Sequence, residues 1–340
     1  MRASDLLIPL AAAGVAAPAI LALLRRAKSR QTISQYVEEH AHKQGTPTMG
    51  GLIVLVGVLV SAFALVPAPE RYAVLALALG FGLIGFVDDF VVPRMVTGSR
   101  GLGWKEKLAL QIVFAAGAAY ATGLQSAPAI ALSVFAVLFM SNAYNFADGM
   151  DGLAGGLGVM LAGTLGLLAA LRGEPGVAVA LASLAVSFLP FLWFNWPPAR
   201  VFMGDVGALP FGALMGWAMT KIAVTGDGNL DLAHFWPILI LSTVMLIELV
   251  PVPLQIASVK LRKGKRLFPF KTPVHHAFQS AGWHEPRVVA MFYGVQLAAC
   301  ALAVALSPGG AAHLPWLGLG AVLVVAMLVT PGKKREVSPA

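Results

Sequence analysis

Eleven stretches of about 20 predominantly apolar residues follow one another along the chain, each long enough to cross a bilayer as a helix. They lie near 5–24, 49–67, 72–90, 107–123, 127–147, 153–171, 176–194, 206–223, 235–257, 287–307 and 312–331. Only 12% of the 340 residues are charged and 58% are hydrophobic, whereas an average soluble protein is roughly 25% charged. Two or three soluble domains would lack the charge to cover their surfaces. The expected fold is therefore an all-α polytopic integral membrane protein, a single domain over 1–340 with ten or eleven transmembrane helices. Gly and Pro interrupt the runs at 206–223 and 235–257, which leaves their limits the softest. The first run has no A-x-A-like exit and is followed by a basic cluster, so it reads as a retained span. The single cysteine, Cys300, lies in an apolar run and excludes an intrachain disulfide. There is no internal repeat or low-complexity tract.

The formal charge is +8, and its distribution says more than its size. Numbering the loops alternately places 20 of the 24 Lys and Arg in one set: 25–48, 88–107, 146–155, 195–206, 258–287 and 332–340. The other set holds Arg2, Arg71, Arg172 and Lys221. Cytoplasmic loops carry the basic excess, so the N-terminus is expected outside and the tail with Lys333, Lys334 and Arg335 inside. The surplus serves topology and contact with anionic lipid and does not call for nucleic acid.

The inside loops also hold the unusual polar clusters. His40, His42 and Lys43 precede Gly45-Thr46-Pro47-Thr48-Met49-Gly50-Gly51. Asp88 and Asp89 end the third run. Asn142, Asn145, Asp148 and Asp151 recur every third residue where the fifth run exits, along one side of a helical path. Asn195 and Asp205 bracket the segment from Trp196 to Gly204, and His275-His276 lie in the most basic loop. Each cluster alone has an ordinary reading. The aspartate pair suits a solvated span end, and Asp148-Gly149 and Asp151-Gly152 suit turns. Lys43, Lys105 and Lys107 suit positive-inside residues. Five carboxylates, three amides and several bases on one membrane face do not fit that account together, because ionisable groups at membrane depth are expensive.

Motifs for zinc hydrolysis, serine acyl transfer and P-loop chemistry are absent from the sequence. Carboxylates without thiolates select a hard ion, and Mg²⁺ typically takes one or two carboxylates and completes its shell with water and phosphate oxygens. Lysines and histidines beside it would neutralise phosphate charge. The glycines around Met49 and Asp205 would admit a bulky ligand or serve close helix packing. The residues alone thus lead to a Mg²⁺-dependent enzyme acting on a phosphorylated substrate at the cytoplasmic face.

Together these blocks resemble the phospho-N-acetylmuramoyl-pentapeptide transferases, within the polyprenyl-phosphate N-acetylhexosamine-1-phosphate transferases. The likeness covers about His40 to Arg287 in five ordered blocks. It implies transfer of phospho-MurNAc-pentapeptide from UDP-MurNAc-pentapeptide to undecaprenyl phosphate, giving lipid I and UMP, by a multi-pass protein of the cell inner membrane. It further implies these residue roles. Lys43 and Thr48 belong to the first block, on the substrate. Asp88 and Asp89 form the aspartate pair, one of which deprotonates the lipid phosphate. Lys107 is an active-site lysine. Asn142, Asn145, Asp148, Gly149 and Asp151 line the nucleoside site. Asn195 belongs with Phe202, which stacks on uracil, and Asp205, which binds Mg²⁺. His275 and His276 sit near the diphosphate, and Gln255 joins the substrate-binding set. A homodimer is left open.

The chain departs from that family at three points. Ala277 replaces a third histidine, with Gln279 where an acid is usual. Val92 stands where a lysine commonly follows the aspartate pair, so Arg94 or Lys105 is expected to supply that charge. The run at 312–331 leaves room for an eleventh span. A transferase using UDP-GlcNAc is the alternative within the enzyme class, and an ion-coupled transporter is disfavoured because the carboxylates cluster at span ends. If 312–331 crosses the membrane, a cysteine placed at Ser338 is labelled by an impermeant thiol reagent from the inside; labelling only from the outside leaves ten spans.

Overall fold

The computed structural model describes residues 2–27, 46–95, 101–262, 264–265, 267–270 and 272–314. Apolar backbone in a bilayer has no water to bond to and closes its hydrogen bonds within helices, and helices are what these residues form. In chain order they are α1 (Leu7–Arg26), α2 (Gly51–Ala64), α3 (Glu70–Phe86), α4 (Val92–Met95), α5 (Trp104–Ala121), α6 (Ala127–Ala147) and α7 (Leu153–Arg172). There follow α8 (Pro175–Asn195), α9 (Asp205–Ala223), α10 (Leu232–Leu241), α11 (Thr243–Leu249), α12 (Pro251–Leu261), α13 (Val274–Ser280) and α14 (Glu285–Leu306). No strand occurs among the described residues.

Among the described residues, eight helical stretches are long and apolar enough to cross a membrane: Ser4–Arg26, Glu70–Met95, Ala127–Ala147, Leu153–Arg172, Pro175–Asn195, Asp205–Ala223, Thr243–Leu261 and Glu285–Leu306. The run expected at 49–67 is shorter, because α2 spans only 14 residues. It stops where Leu65 and Val66 both donate to the Ser61 carbonyl, ahead of Pro67 and Pro69. The run expected at 107–123 becomes α5, whose first turn, Trp104-Lys105-Glu106-Lys107, is charged. The run expected at 235–257 is broken twice. At the first break the Ser242 hydroxyl donates to the Ile238 carbonyl at 2.8 Å, beside the Ser242 N–H at 3.0 Å, and Thr243 Oγ1 donates to the Ile240 carbonyl at 2.6 Å, the kind of back-bonding that bends helices. At the second, Pro251 opens α12 at a position where its missing N–H is no loss. The run at 312–331 lies almost entirely outside the described residues.

The centre of the bundle is α9, 94% of whose span is buried. It is packed by α6, α3, α7 and α2. Helix association in lipid relies on close van der Waals packing rather than on a hydrophobic driving force, and glycines let these backbones touch. A Cβ on Gly207 would lie 2.6 Å from the Gly51 Cα of α2; on Gly212 it would fall on the Met140 carbonyl, and on Gly216 on the Ala136 carbonyl, both of α6. Ser141 Oγ reinforces the α6–α9 seam by donating to the Leu209 carbonyl at 3.0 Å. On α3, a Cβ at Gly85 would collide with the backbone of Asp205.

Overpacking a well-filled seam costs about 1–3 kcal/mol, and here the atom in the way is backbone. Gly212→Val is expected to lower the detergent-solubilised Tm clearly or to abolish folding. A variant that melts with the wild type would mean that α6 and α9 do not touch at that point.

Candidate active site

Asp88 and Asp89 sit on a single π-helical turn, Val87–Val91, that joins α3 to α4. Such turns recur at functional positions in otherwise regular helices. Asp205 is the first residue of α9 and follows Gly204, whose φ of +72° favours a residue without a side chain. A carboxylate in the first turn of a helix is favoured by the helix dipole. One oxygen from each of Asp88, Asp89 and Asp205 lies within 4.8 Å of the others. Three acids this close, partly buried, need positive charge between them. Lys107, in the first turns of α5, supplies it. Its ammonium is 3.2 Å from Asp88 Oδ2 and forms a second ion pair with Asp205.

Backbone donors fix the acids further. The Leu102 N–H donates to Asp88 Oδ1 at 2.6 Å, so both oxygens of Asp88 are engaged. The Asp205 N–H donates to Asp89 Oδ2 at 2.8 Å, and the Val206 N–H also bonds the Asp89 carboxylate. The positive charge expected from Arg94 or Lys105 does not arrive from either. Arg94 stacks 3.5 Å over Phe90 and donates to the Phe90 and Ala27 carbonyls, and Lys105 lies over the Trp104 ring.

A corner built from the remaining blocks surrounds this centre. The first block is laced to the segment before α9: the Phe202 N–H donates to the Pro47 carbonyl at 2.8 Å, Gly50 N–H to Phe202 at 2.7 Å and Gly51 N–H to Met203 at 3.0 Å. Close approach, rather than room for a ligand, is what Gly50 and Gly51 provide. Thr48 is buried beside Gly204, where a Cβ would meet Thr48 Oγ1 and Asp89 Oδ2, each at 2.7 Å. Asp148 Oδ2 accepts the Gly204 N–H at 3.1 Å. Asp151 Oδ2 accepts Ala199 N–H at 2.8 Å, and its own N–H donates to Glu285. Asn195 accepts from Gly152 at 3.0 Å and donates to the Val201 carbonyl at 2.9 Å. Asp148, Asp151 and Asn195 thus hold the corner that carries Asp205.

Asn142, Asn145 and Phe202 are half-buried on the rim. Asn142 donates to Leu138 and to the Gln111 side chain, one helical turn beyond Lys107. His275 is fully buried, with Nδ1 2.8 Å from Glu248, and its Nε2 lies against Gly149, where a Cβ would fall on it. His276 contacts Gln279 at 3.0 Å. The Gln255 amide is occupied at both ends by the backbone of Leu267 and Phe268. Lys43 lies outside the described residues. Sequence reasoning missed Gln111 and Glu248. Gln111 is a polar residue on the Lys107 face of α5, and Glu248 is an acid inside the apolar run Thr-Val-Met-Leu-Ile-Glu-Leu-Val, a signal that was available.

The arrangement offers three acceptors and one cation at one end of the helices, which suits holding a hard cation, neutralising phosphate charge and accepting a proton. Known proteins bear on it. The family model for glycosyl transferase family 4 matches residues 72–223, and a signature of phospho-N-acetylmuramoyl-pentapeptide transferases matches residues 43–55. The phospho-N-acetylmuramoyl-pentapeptide-transferase of Pelotomaculum thermopropionicum is 36% identical over 324 residues, covering 88% of this chain and 95% of that protein. The enzymes of the same name from Symbiobacterium thermophilum and a Picosynechococcus species are 35% and 37% identical, covering 89% and 84% of this chain and 95% and 81% of theirs.

Lys107→Met removes the cation from between Asp88 and Asp205. The variant is expected to melt below the wild type at neutral pH and to regain more stability than the wild type from millimolar divalent cation. Equal stability with no cation response would show that the three acids do not depend on Lys107.

Proposed function

The chain belongs to the phospho-N-acetylmuramoyl-pentapeptide-transferase family, and on that premise we propose that it moves phospho-MurNAc-pentapeptide from UDP-MurNAc-pentapeptide to undecaprenyl phosphate, releasing UMP. It is a multi-pass membrane enzyme. The observation that carries the reaction is the convergence of Asp88, Asp89, Asp205 and Lys107 at the ends of three helices. An oxygen of the lipid phosphate attacks the phosphorus bonded to the sugar; the bond from that phosphorus to the UMP oxygen breaks, and UMP leaves. The proton of the lipid phosphate passes to the aspartate pair. Asp89 is the acceptor this reading favours, because the Lys107 ammonium pairs with Asp88 and Asp205.

The carboxylates fit a hard divalent ion, since their oxygens lie within 4.8 Å and the Lys107 ammonium already sits between two of them. Mg²⁺ would be held by Asp205 with its two neighbours close by, and when bound it supplies positive charge to the diphosphate oxygens. Lys107 adds fixed charge beside it. Phe202 and Asn145, both half-buried, would meet the nucleoside. The 20-to-4 basic asymmetry supports a cytoplasmic site in the inner membrane, the side from which a nucleotide donor comes.

Asp205→Asn in a folded protein is expected to lower turnover by about 10²–10³-fold, the scale on which losing a key electrostatic group acts, measured as UMP release from UDP-MurNAc-pentapeptide in detergent with Mg²⁺. Near-normal Mg²⁺-dependent turnover in that variant would sink the metal assignment. Wild-type UMP release from UDP-GlcNAc in place of the muramoyl donor would move the protein to the other branch of the superfamily.

A further inference from the structure

Glu248 is an acid in the middle of an apolar run. It lies in α11, at the break between two pieces of a span, with no exposed surface. Ionisable groups at such depth are found where they have a partner and a use. The partner is His275, also without exposed surface. Glu248 grips it twice. Oε1 accepts the backbone N–H of His275 at 3.1 Å, one of the N–H groups that the first turn of α13 leaves without a helical acceptor, and Oε2 is 2.8 Å from the imidazole Nδ1. The double contact fixes both the backbone from which the ring hangs and the ring's rotation. With the carboxylate ionised, the shared proton lies on Nδ1.

The other ring nitrogen is the informative atom. His275 Nε2 is buried and has no hydrogen-bond partner among the described residues. It is pressed against Gly149, where any side chain would collide with it. Gly149 follows Asp148, and Asp148 binds the N–H of Gly204 next to Asp205. A buried polar atom with no partner is rare in folded proteins and calls for an explanation. We propose that Glu248 is a positioning residue for the transfer reaction. It holds His275 in one orientation and one tautomer, keeping the Nε2 lone pair ready to accept a hydrogen bond from an O–H or N–H of the donor that reaches the Asp148–Gly149 turn. This rests on the transferase reading above.

Glu248→Gln separates positioning from mere packing. Glutamine preserves the volume and can still accept the His275 N–H, but it presents an amide N–H to Nδ1 and so moves the ring proton to Nε2. The expected result in detergent is a kcat about 10–100-fold lower, the usual loss when a partner that orients a functional histidine is removed. KM for UDP-MurNAc-pentapeptide should stay within about threefold and Tm close to wild type. Because Glu248 acts through His275, the Glu248→Gln/His275→Asn double variant is expected to lose no more kcat than His275→Asn alone. A folded Glu248→Gln protein with wild-type kcat, or losses that multiply in the double variant, overturns the proposal. Glu248→Asp keeps the carboxylate and provides the readout if the amide variant does not fold. It is expected to retain more than a third of wild-type kcat, roughly, and a folded aspartate variant as impaired as His275→Asn overturns the proposal equally. A wild-type protein that releases no UMP would defeat the transferase reading instead.

Discussion

The contact between Gly85 of α3 and the backbone at Asp205 sets the distance on which the active centre depends. Asp88 and Asp89 lie three and four residues past that glycine, and Asp205 opens the helix it touches. Because Gly85 carries no Cβ into the crossing, the two helix ends meet closely enough for the three carboxylates to share a space within 4.8 Å. The seam of Gly207, Gly212 and Gly216 then holds the rest of α9 against α2 and α6. Chemistry at one end of the bundle is thereby fixed by packing along its length. In lipid, where apolar surface gains nothing by leaving the solvent, such small-residue contacts are the available means of fixing one helix against another.

Close approach creates an electrostatic difficulty, and the sequence resolves it locally. Three carboxylates at the edge of a membrane would repel one another strongly in a low dielectric. Lys107 neutralises part of that charge, and the N–H groups of Leu102 and Asp205 meet two more oxygens. The set remains acidic, with one lysine for three acids. It is thus negative enough to attract a cation.

Much of this was legible in the sequence and some was not, for identifiable reasons. The apolar runs locate most of the helices, and the clusters at Asp88, Asn142, Asp205 and His275 all come to the same end of the bundle. Residue type and hydropathy do not reveal direction. Asp151, which the resemblance puts at the nucleoside site, and Asn195, which it puts with Phe202 and Asp205, also bind the backbone of Ala199, Gly152 and Val201 through their side chains. Gly50 and Gly51 look like room for a ligand and are where two backbones touch. The break within 235–257 depends on Ser242 and Thr243 turning back to carbonyls of their own helix, an outcome that hydropathy cannot register. Glu248 was legible as an acid in an apolar run, but its partner lies 27 residues away in a loop.

Those straps share a logic with the acids of the centre. A helix that ends at membrane depth leaves N–H and C=O groups that water cannot reach, and each must find an acceptor or donor within the protein. Asp88, Asp89, Asp148, Asp151 and Asn195 all accept backbone N–H groups, at helix starts or in the loops that join them. Concentrating helix ends at one face therefore requires concentrating short acidic and amide side chains there as well. Of these residues, only those that keep a spare oxygen or share a cation can also serve the reaction. The remainder are needed to hold the corner, so their loss is expected to act on the placement of Asp205 as much as on any contact with substrate. That double duty is why polar residues crowd this face in greater number than phosphate transfer alone requires.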